Sequence, residues 1–204
     1  MNPRQIDRFF RILDRELGKR ARVILTGASA ASLWGSVRPS QDIDFGIILT
    51  TAGRKDWVLL EEAVGRTVQL TGIQANYTED IDRWGAITLL DYRRHTLPYK
   101  RFGRLDVRLL DPLYWTIGKL TRYLDPDVQD LVTVLKSQPI SPDRLTRLWA
   151  QALRKSPRSD AGARFRRQVE HFLRTYGNLI WGAEFDASSH VDRFARAAGL
   201  TPLR

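Results

Sequence analysis

Two acidic side chains, Asp42 and Asp44, stand two residues apart in Gln41-Asp42-Ile43-Asp44-Phe45. On a strand, residues so spaced project from one face. Paired carboxylates repel unless a cation neutralises them. Mg2+ suits such a pair, because it takes one or two protein carboxylates and completes its shell with water and substrate phosphates. Upstream lies Leu25-Thr26-Gly27-Ala28-Ser29, with Gly directly after an apolar run and before a series of small residues. A Gly there lets backbone N–H groups approach a phosphate, a following helix N-terminus favours its charge, and Ser29 adds a hydroxyl. Each motif alone has an ordinary explanation: two acids at an exposed strand edge, and a turn. Their succession, with Arg38-Pro39-Ser40 between them, points to phosphate and divalent-metal chemistry.

Those residues need elements to hold them. Ile6, Phe9, Phe10, Leu13 and Leu17 recur at helical spacing and Gly18 stops the run. Val23-Ile24-Leu25 reads as a buried strand and Ala28–Trp34 as a short helix. Asp42–Leu49 reads as a strand and Lys55–Val64 as a helix. Ile87–Tyr92, Thr96–Tyr99 and Leu105–Leu110 read as three strands, with a tight turn at Phe102-Gly103 between the last two. Asp111-Pro112 and Asp125-Pro126 each read as an Asp cap followed by Pro at the first helical position. Pro142–Leu153, Ala161–Tyr176 and His190–Ala198 are helical by pattern. The order predicts an α/β (α+β) chain, a mixed sheet with flanking helices plus a C-terminal helical lobe. Ser137–Pro142 is the expected boundary, giving a core over 1–136 and a basic lobe over 137–204.

The 204 residues include no Cys, which excludes disulfides, thiolate catalysis and cysteine zinc sites. His95, His171 and His190 are too dispersed to suggest a His-based zinc site. No run approaches the length of apolar sequence that spans a bilayer, and Met1–Gly18 lacks the apolar stretch of a signal peptide. A cytoplasmic location without membrane association is therefore expected. Net charge is +10, and the segment from Ser137 to Arg204 carries 12 Lys and Arg against 6 Asp and Glu. Such a balance suits a polyanionic partner such as RNA, or a solvated Arg-rich face. Arg164-Phe165-Arg166-Arg167 divides the same way. Trp34, Trp57, Trp84, Trp115, Trp149, Phe165, Phe172 and Tyr176 are expected in the core rather than as base-stacking platforms.

Gly27-Ala28-Ser29 followed by Asp42-Ile43-Asp44-Phe45 resembles the nucleotidyltransferase superfamily that shares its catalytic fold with DNA polymerase beta. Arg38-Pro39-Ser40-Gln41-Asp42-Ile43-Asp44 is most similar to the AbiEii-type bacterial abortive-infection and toxin-antitoxin branch. The likeness runs over roughly Val23–Leu135 and departs at Ala28, where many members carry a second Gly or a Ser. It implies a nucleotidyltransferase fold and Mg2+- or Mn2+-dependent transfer of a nucleoside monophosphate from an NTP to an acceptor hydroxyl, with release of pyrophosphate. Asp42 and Asp44 would hold the metal. Gly27, Ala28, Ser29, Arg38, Ser40 and Lys119 would line the nucleotide. A third acid is expected at Asp106, completing the metal site, or at Asp130, which could instead orient Lys119. A salt bridge from Asp106 to Arg104 or Arg108, and a helix-capping role for Asp130, are the structural alternatives. RNA or tRNA, a protein or a small molecule would be the acceptor, and an antitoxin a possible partner. A nucleotide- or RNA-binding protein without transferase activity is the competing expectation.

Overall fold

The computed structural model describes residues 1–35, 40–50 and 53–200. It is a mixed α/β fold, a central sheet with flanking and C-terminal helices. Contacts divide the chain into two compact units, Met1–Ile81 with Arg93–Asp111, and Asp82–Tyr92 with Pro112–Arg204. The first contains the sheet. The stretch expected as a boundary, 137–142, joins two helices inside the second.

The first unit opens with helix α1 (Pro3–Leu17), capped by the Asn2 side chain and ended by Gly18 in the left-handed conformation. Strand β1 (Ala21–Thr26), helix α2 (Gly27–Leu33), strand β2 (Asp42–Leu49), helix α3 (Arg54–Thr71) and strand β3 (Gln74–Thr78) follow. Strands β4 (Thr96–Phe102) and β5 (Leu105–Leu110) complete a sheet of order β3-β2-β1-β5-β4. β1 runs antiparallel to β2 and parallel to β5. β2 runs parallel to β3, and β4 antiparallel to β5.

Alternation sorts the two faces. Val23, Leu25, Ile43, Phe45, Ile47, Leu105, Val107 and Leu109 are buried on one face. Phe9 and Phe10 of α1 meet Phe45 there edge-on, at centroid separations of 6.0 and 5.6 Å. Burying rings of this size contributes about 2 kcal/mol each, which ties α1 to the strand bearing Asp42 and Asp44. The other face carries Arg22, Thr26, Asp42, Asp44, Asn76, Arg101, Asp106 and Arg108, by the register of the strands.

Asp7 on α1 accepts hydrogen bonds from Tyr99 Oη at 2.6 Å and Lys100 Nζ at 2.5 Å. Burial works against the Asp7 carboxylate. The hydrogen bonds from Lys100 and Tyr99, with the charges of Lys100 and Arg11, outweigh it and hold Asp7 below its ordinary value. Burial, and then the hydrogen bond and charge of Asp7, push the Tyr99 phenol above its ordinary value of 10.0. Asp56, at the start of α3, is lowered chiefly by its hydrogen bond from Lys19 and then by the Gly53 N–H.

Two strand expectations need correction. β3 is absent from the sequence reading, because Gln-Ala-Asn-Tyr-Thr is half-polar and shows little apolar alternation. Ile87–Tyr92 is not a strand. Leu90 and Asp91 have φ of 43° and 50°, which a strand does not allow. Ile87 and Leu89 are buried as a strand would bury them. The backbone donors, however, go to side chains: Thr88 N–H to Ser156 Oγ at 2.9 Å and Leu89 N–H to Asp82 Oδ1 at 2.5 Å.

The second unit is helical: α4 (Pro112–Arg122), α5 (Asp125–Ser137), α6 (Pro142–Lys155), α7 (Asp160–Trp181) and α8 (Ala187–Ala197). Helix α5 starts one residue earlier than the Asp-cap reading implies. Its cap is Leu124, and Asp127 in the first turn is the acid that accepts from the Leu124 N–H. Trp115, Trp149, Phe165 and Phe172 are core residues, and Trp149 donates from its indole to Thr116 Oγ1 at 2.8 Å. Trp34 is also buried, whereas Trp84 is 47% exposed, contrary to its expected place in the core. Among the described residues, no helix is long and apolar enough to cross a membrane.

Candidate functional site

β1 and β2 run side by side, and Thr26 at the end of β1 pairs with Asp44 near the start of β2. Gly27 continues directly from Thr26 with φ of 64° and begins α2. A Cβ at Gly27 would overlap the Asp44 carboxylate, lying 2.7 Å from Asp44 Cγ. Both the conformation and the contact therefore require Gly.

Asp42 and Asp44 project together, as their spacing predicts. A single nitrogen links them: Asn76 Nδ2 on β3 donates to Asp42 Oδ2 and to Asp44 Oδ1, each at 3.0 Å. The register of β2 against β3 sets Asn76 directly opposite Asp44. Ser40 Oγ donates to Asp42 Oδ1 at 2.9 Å and to the Asp42 carbonyl at 2.9 Å, fixing the strand entry. Sequence reasoning missed Asn76, because its role depends on recognising β3 and its register.

The remaining expected residues lie elsewhere or are otherwise engaged. Ala28 and Ser29 are buried in α2. Ser29 Oγ donates to the Thr26 carbonyl at 3.0 Å, so its proton is directed into the helix turn. Arg38 lies outside the described residues.

Asp106 shares the sheet face of Asp44 but not its end. It pairs with Arg22, four residues before Thr26 on β1, which sets it roughly 13 Å away along the strand at 3.3 Å per residue. Asp106 forms an ion pair with Arg22, Nε to Oδ2 at 3.3 Å, rather than with Arg104 or Arg108. Arg108 instead donates to the Thr96 hydroxyl and carbonyl.

Lys119 and Asp130 belong to the second unit. Lys119 is 2% exposed, and its ammonium donates to Asp127 Oδ1 at 3.0 Å and Asp130 Oδ2 at 2.8 Å. Arg122 completes the group by donating to Asp127 Oδ1 at 2.5 Å. The Lys119 ammonium and the two carboxylates are thus buried between α4 and α5, and the largely exposed Arg122 reaches Asp127 from outside. Asp130 accepts from Lys119 within the body of α5 and does not cap it, and the acid missed by sequence reasoning is Asp127.

Among the described residues, no group of three His, Cys, Asp or Glu side chains is arranged to hold a metal ion. The Asp42–Asp44 pair still suits a hard cation, since Mg2+ needs only one or two carboxylates when phosphates and water supply the remaining oxygens. Compared with protein-family models, with curated proteins and with solved structures, the chain matches none.

Proposed function

We propose that the chain is a Mg2+- or Mn2+-dependent nucleotidyltransferase, moving a nucleoside monophosphate from an NTP to an acceptor hydroxyl. The observation that carries the reading is the contact between Gly27 and the Asp44 carboxylate, with Asp42 beside it. A phosphate-sized approach at Gly27 would lie against the acids that hold a divalent cation. The cation, when bound, neutralises charge on the triphosphate oxygens.

The chain's own residues divide the remaining work. Asp42 and Asp44 would hold the cation, with Asn76 keeping their carboxylates converged and Ser40 fixing Asp42. The acceptor oxygen forms a bond to the α-phosphorus while the bond from that phosphorus to the bridging oxygen breaks. Pyrophosphate leaves, and the hydroxyl proton is released to water. Catalysis of this type is mostly positioning and charge neutralisation. The acceptor class, RNA or tRNA, protein or small molecule, is read out by the experiment below.

A second reading is nucleotide binding without transfer. It is favoured by the separation of Asp106 from the Asp42–Asp44 pair and by the internal engagement of Ser29. One assay separates the two. Wild-type protein and Asp44→Ala are incubated with each labelled NTP, Mg2+ or Mn2+, and cell extract fractionated into RNA, protein and small molecules. Transfer predicts label in one fraction, with pyrophosphate, for the wild type alone. NTP binding with no label or pyrophosphate would favour the binding protein. Growth arrest on expression that depends on Asp44 and is relieved by a cognate protein would extend the first reading to a toxin with an antitoxin.

A further inference from the structure

At the opposite end of β1 from Gly27, the strand ends open into a hollow of about 310 Å3. Arg20, Arg22, Arg101 and Arg104 line it, with Thr50 and the single acid Asp106. A second hollow of about 230 Å3 adjoins it and shares Arg20, Arg101 and Arg104. Asp106 engages Arg22. Among the described residues, no acidic side chain pairs with Arg20, Arg101 or Arg104.

The backbone beneath these arginines is fixed. Arg20 O accepts from both the N–H and the hydroxyl of Thr50, at 3.3 and 3.0 Å. Arg104 O accepts from Ala21 N–H at 3.3 Å, and Arg104 N–H donates to Asp14 Oδ1 at 2.7 Å. Gly103, with φ of 51°, turns so closely over Asp14 that a Cβ would overlap its carboxylate. Four guanidinium groups are therefore carried on a rigid turn and two strand ends, against the carboxylates of Asp106 in the lining and Asp14 beneath the turn.

We propose that this arginine-lined double hollow binds the phosphodiester backbone of a nucleic-acid strand. Guanidinium forks match phosphate oxygens in pairs. A concave surface lined by one sign of charge concentrates the opposite sign. Two adjoining hollows sharing three arginines extend farther than one phosphate requires, and the net charge of +10 has the sign of such a partner. This surface is separate from Asp42 and Asp44, and the proposal does not depend on transferase activity.

The test is anisotropy of a labelled oligoribonucleotide over a salt series. Arg101→Gln/Arg104→Gln is compared with wild type, with Arg164→Gln/Arg167→Gln on α7, and with Asp44→Ala. Both arginines of the first variant are exposed, so its thermal melt should match the wild type and certify the fold. The expected result is an affinity loss of about tenfold or more at moderate salt, and a salt slope shallower by about 1.4 for two lost single-strand phosphate contacts. Asp44→Ala and the α7 variant should bind as wild type. Equal affinity and slope for the wild type and Arg101→Gln/Arg104→Gln would overturn the proposal. So would pyrophosphate binding at the hollow with no oligonucleotide binding, which would make it a small-anion site.

Discussion

Gly27 and Asp44 occupy adjoining space so closely that the glycine's missing side chain is the room in which the carboxylate sits. Gly27→Ala would add a left-handed backbone penalty to that overlap. We expect a stability loss of about 2–4 kcal/mol, read from urea unfolding. A variant as stable as the wild type would show that Asp44 can turn away without cost.

Asn76 is the shared donor of the acidic pair. In Asn76→Ala the two carboxylates lose their common partner and depend more on an external cation. The rise in melting temperature on adding excess Mg2+ should exceed that of the wild type. An unchanged rise would mean that Asn76 does not govern how the pair receives a cation.

Lys119 tests the helical unit rather than the acidic pair. Truncation to Ala removes the buried ammonium shared by Asp127 and Asp130, leaving Asp127 to Arg122 and the Leu124 N–H, at a cost of about 3–5 kcal/mol. Lys119→Met combined with Asp127→Leu and Asp130→Leu removes the three buried charges, leaves the largely exposed Arg122 to solvent, and should recover much of that loss. Denaturant unfolding of both variants gives the comparison. Failure of the triple variant to improve on Lys119→Ala would rule out an unpaired charge as the cause.

The Asp7–Tyr99–Lys100 group links α1 to β4 and has opposite responses at the two ends of the pH scale. The depressed Asp7 value makes its contribution complete above the unfolded carboxylate range, and lost as pH falls through the folded value. The raised Tyr99 value makes its contribution complete below about pH 10, and lost as pH rises through the folded value. Asp7→Asn should flatten the acid limb of a stability profile and reduce the alkaline loss. A profile parallel to the wild type at both limbs would sink this account.

Trp149 and Thr116 form a buried hydrogen bond between α6 and α4. Thr116→Val keeps the volume but leaves the indole N–H without its acceptor. A loss of about 1–3 kcal/mol is expected in thermal or chemical unfolding. A loss near zero would mean that water or another acceptor replaces the hydroxyl.

The elements that position the acidic pair were legible where local chemistry and burial agree. Asp42–Leu49 and Leu105–Leu110 match their strands end to end, and the Gly103 turn falls between β4 and β5. Helices α3 and α7 extend beyond the expected ends, because Arg66–Glu16 and the packing of Gly177 against Phe185 sustain turns that periodicity alone does not demand. The projection of Asp42 and Asp44 from one face followed from strand spacing. Asn76, the partner of Asp106 and the burial of Lys119 did not, because each depends on register or packing between segments remote in sequence. Ile87–Tyr92 misled for the same reason: its burial alternates like a strand's, while Ser156 and Asp82 take the hydrogen bonds that a neighbouring strand would have taken.

Synthesis on the ribosome exposes a consequence of the strand order. β1, β2 and β3 emerge first and can pair among themselves, but β1 is flanked on its other side by β5, and Arg22 waits for Asp106, 84 residues later. Until then the nascent sheet presents β1 as a raw edge of Ala-Arg-Val-Ile-Leu-Thr, an invitation to pair with another chain. Arg22, projecting near the start of that run, acts as a charged gatekeeper during the wait. The same side chain that meets Asp106 in the finished sheet thus guards its precursor against aggregation.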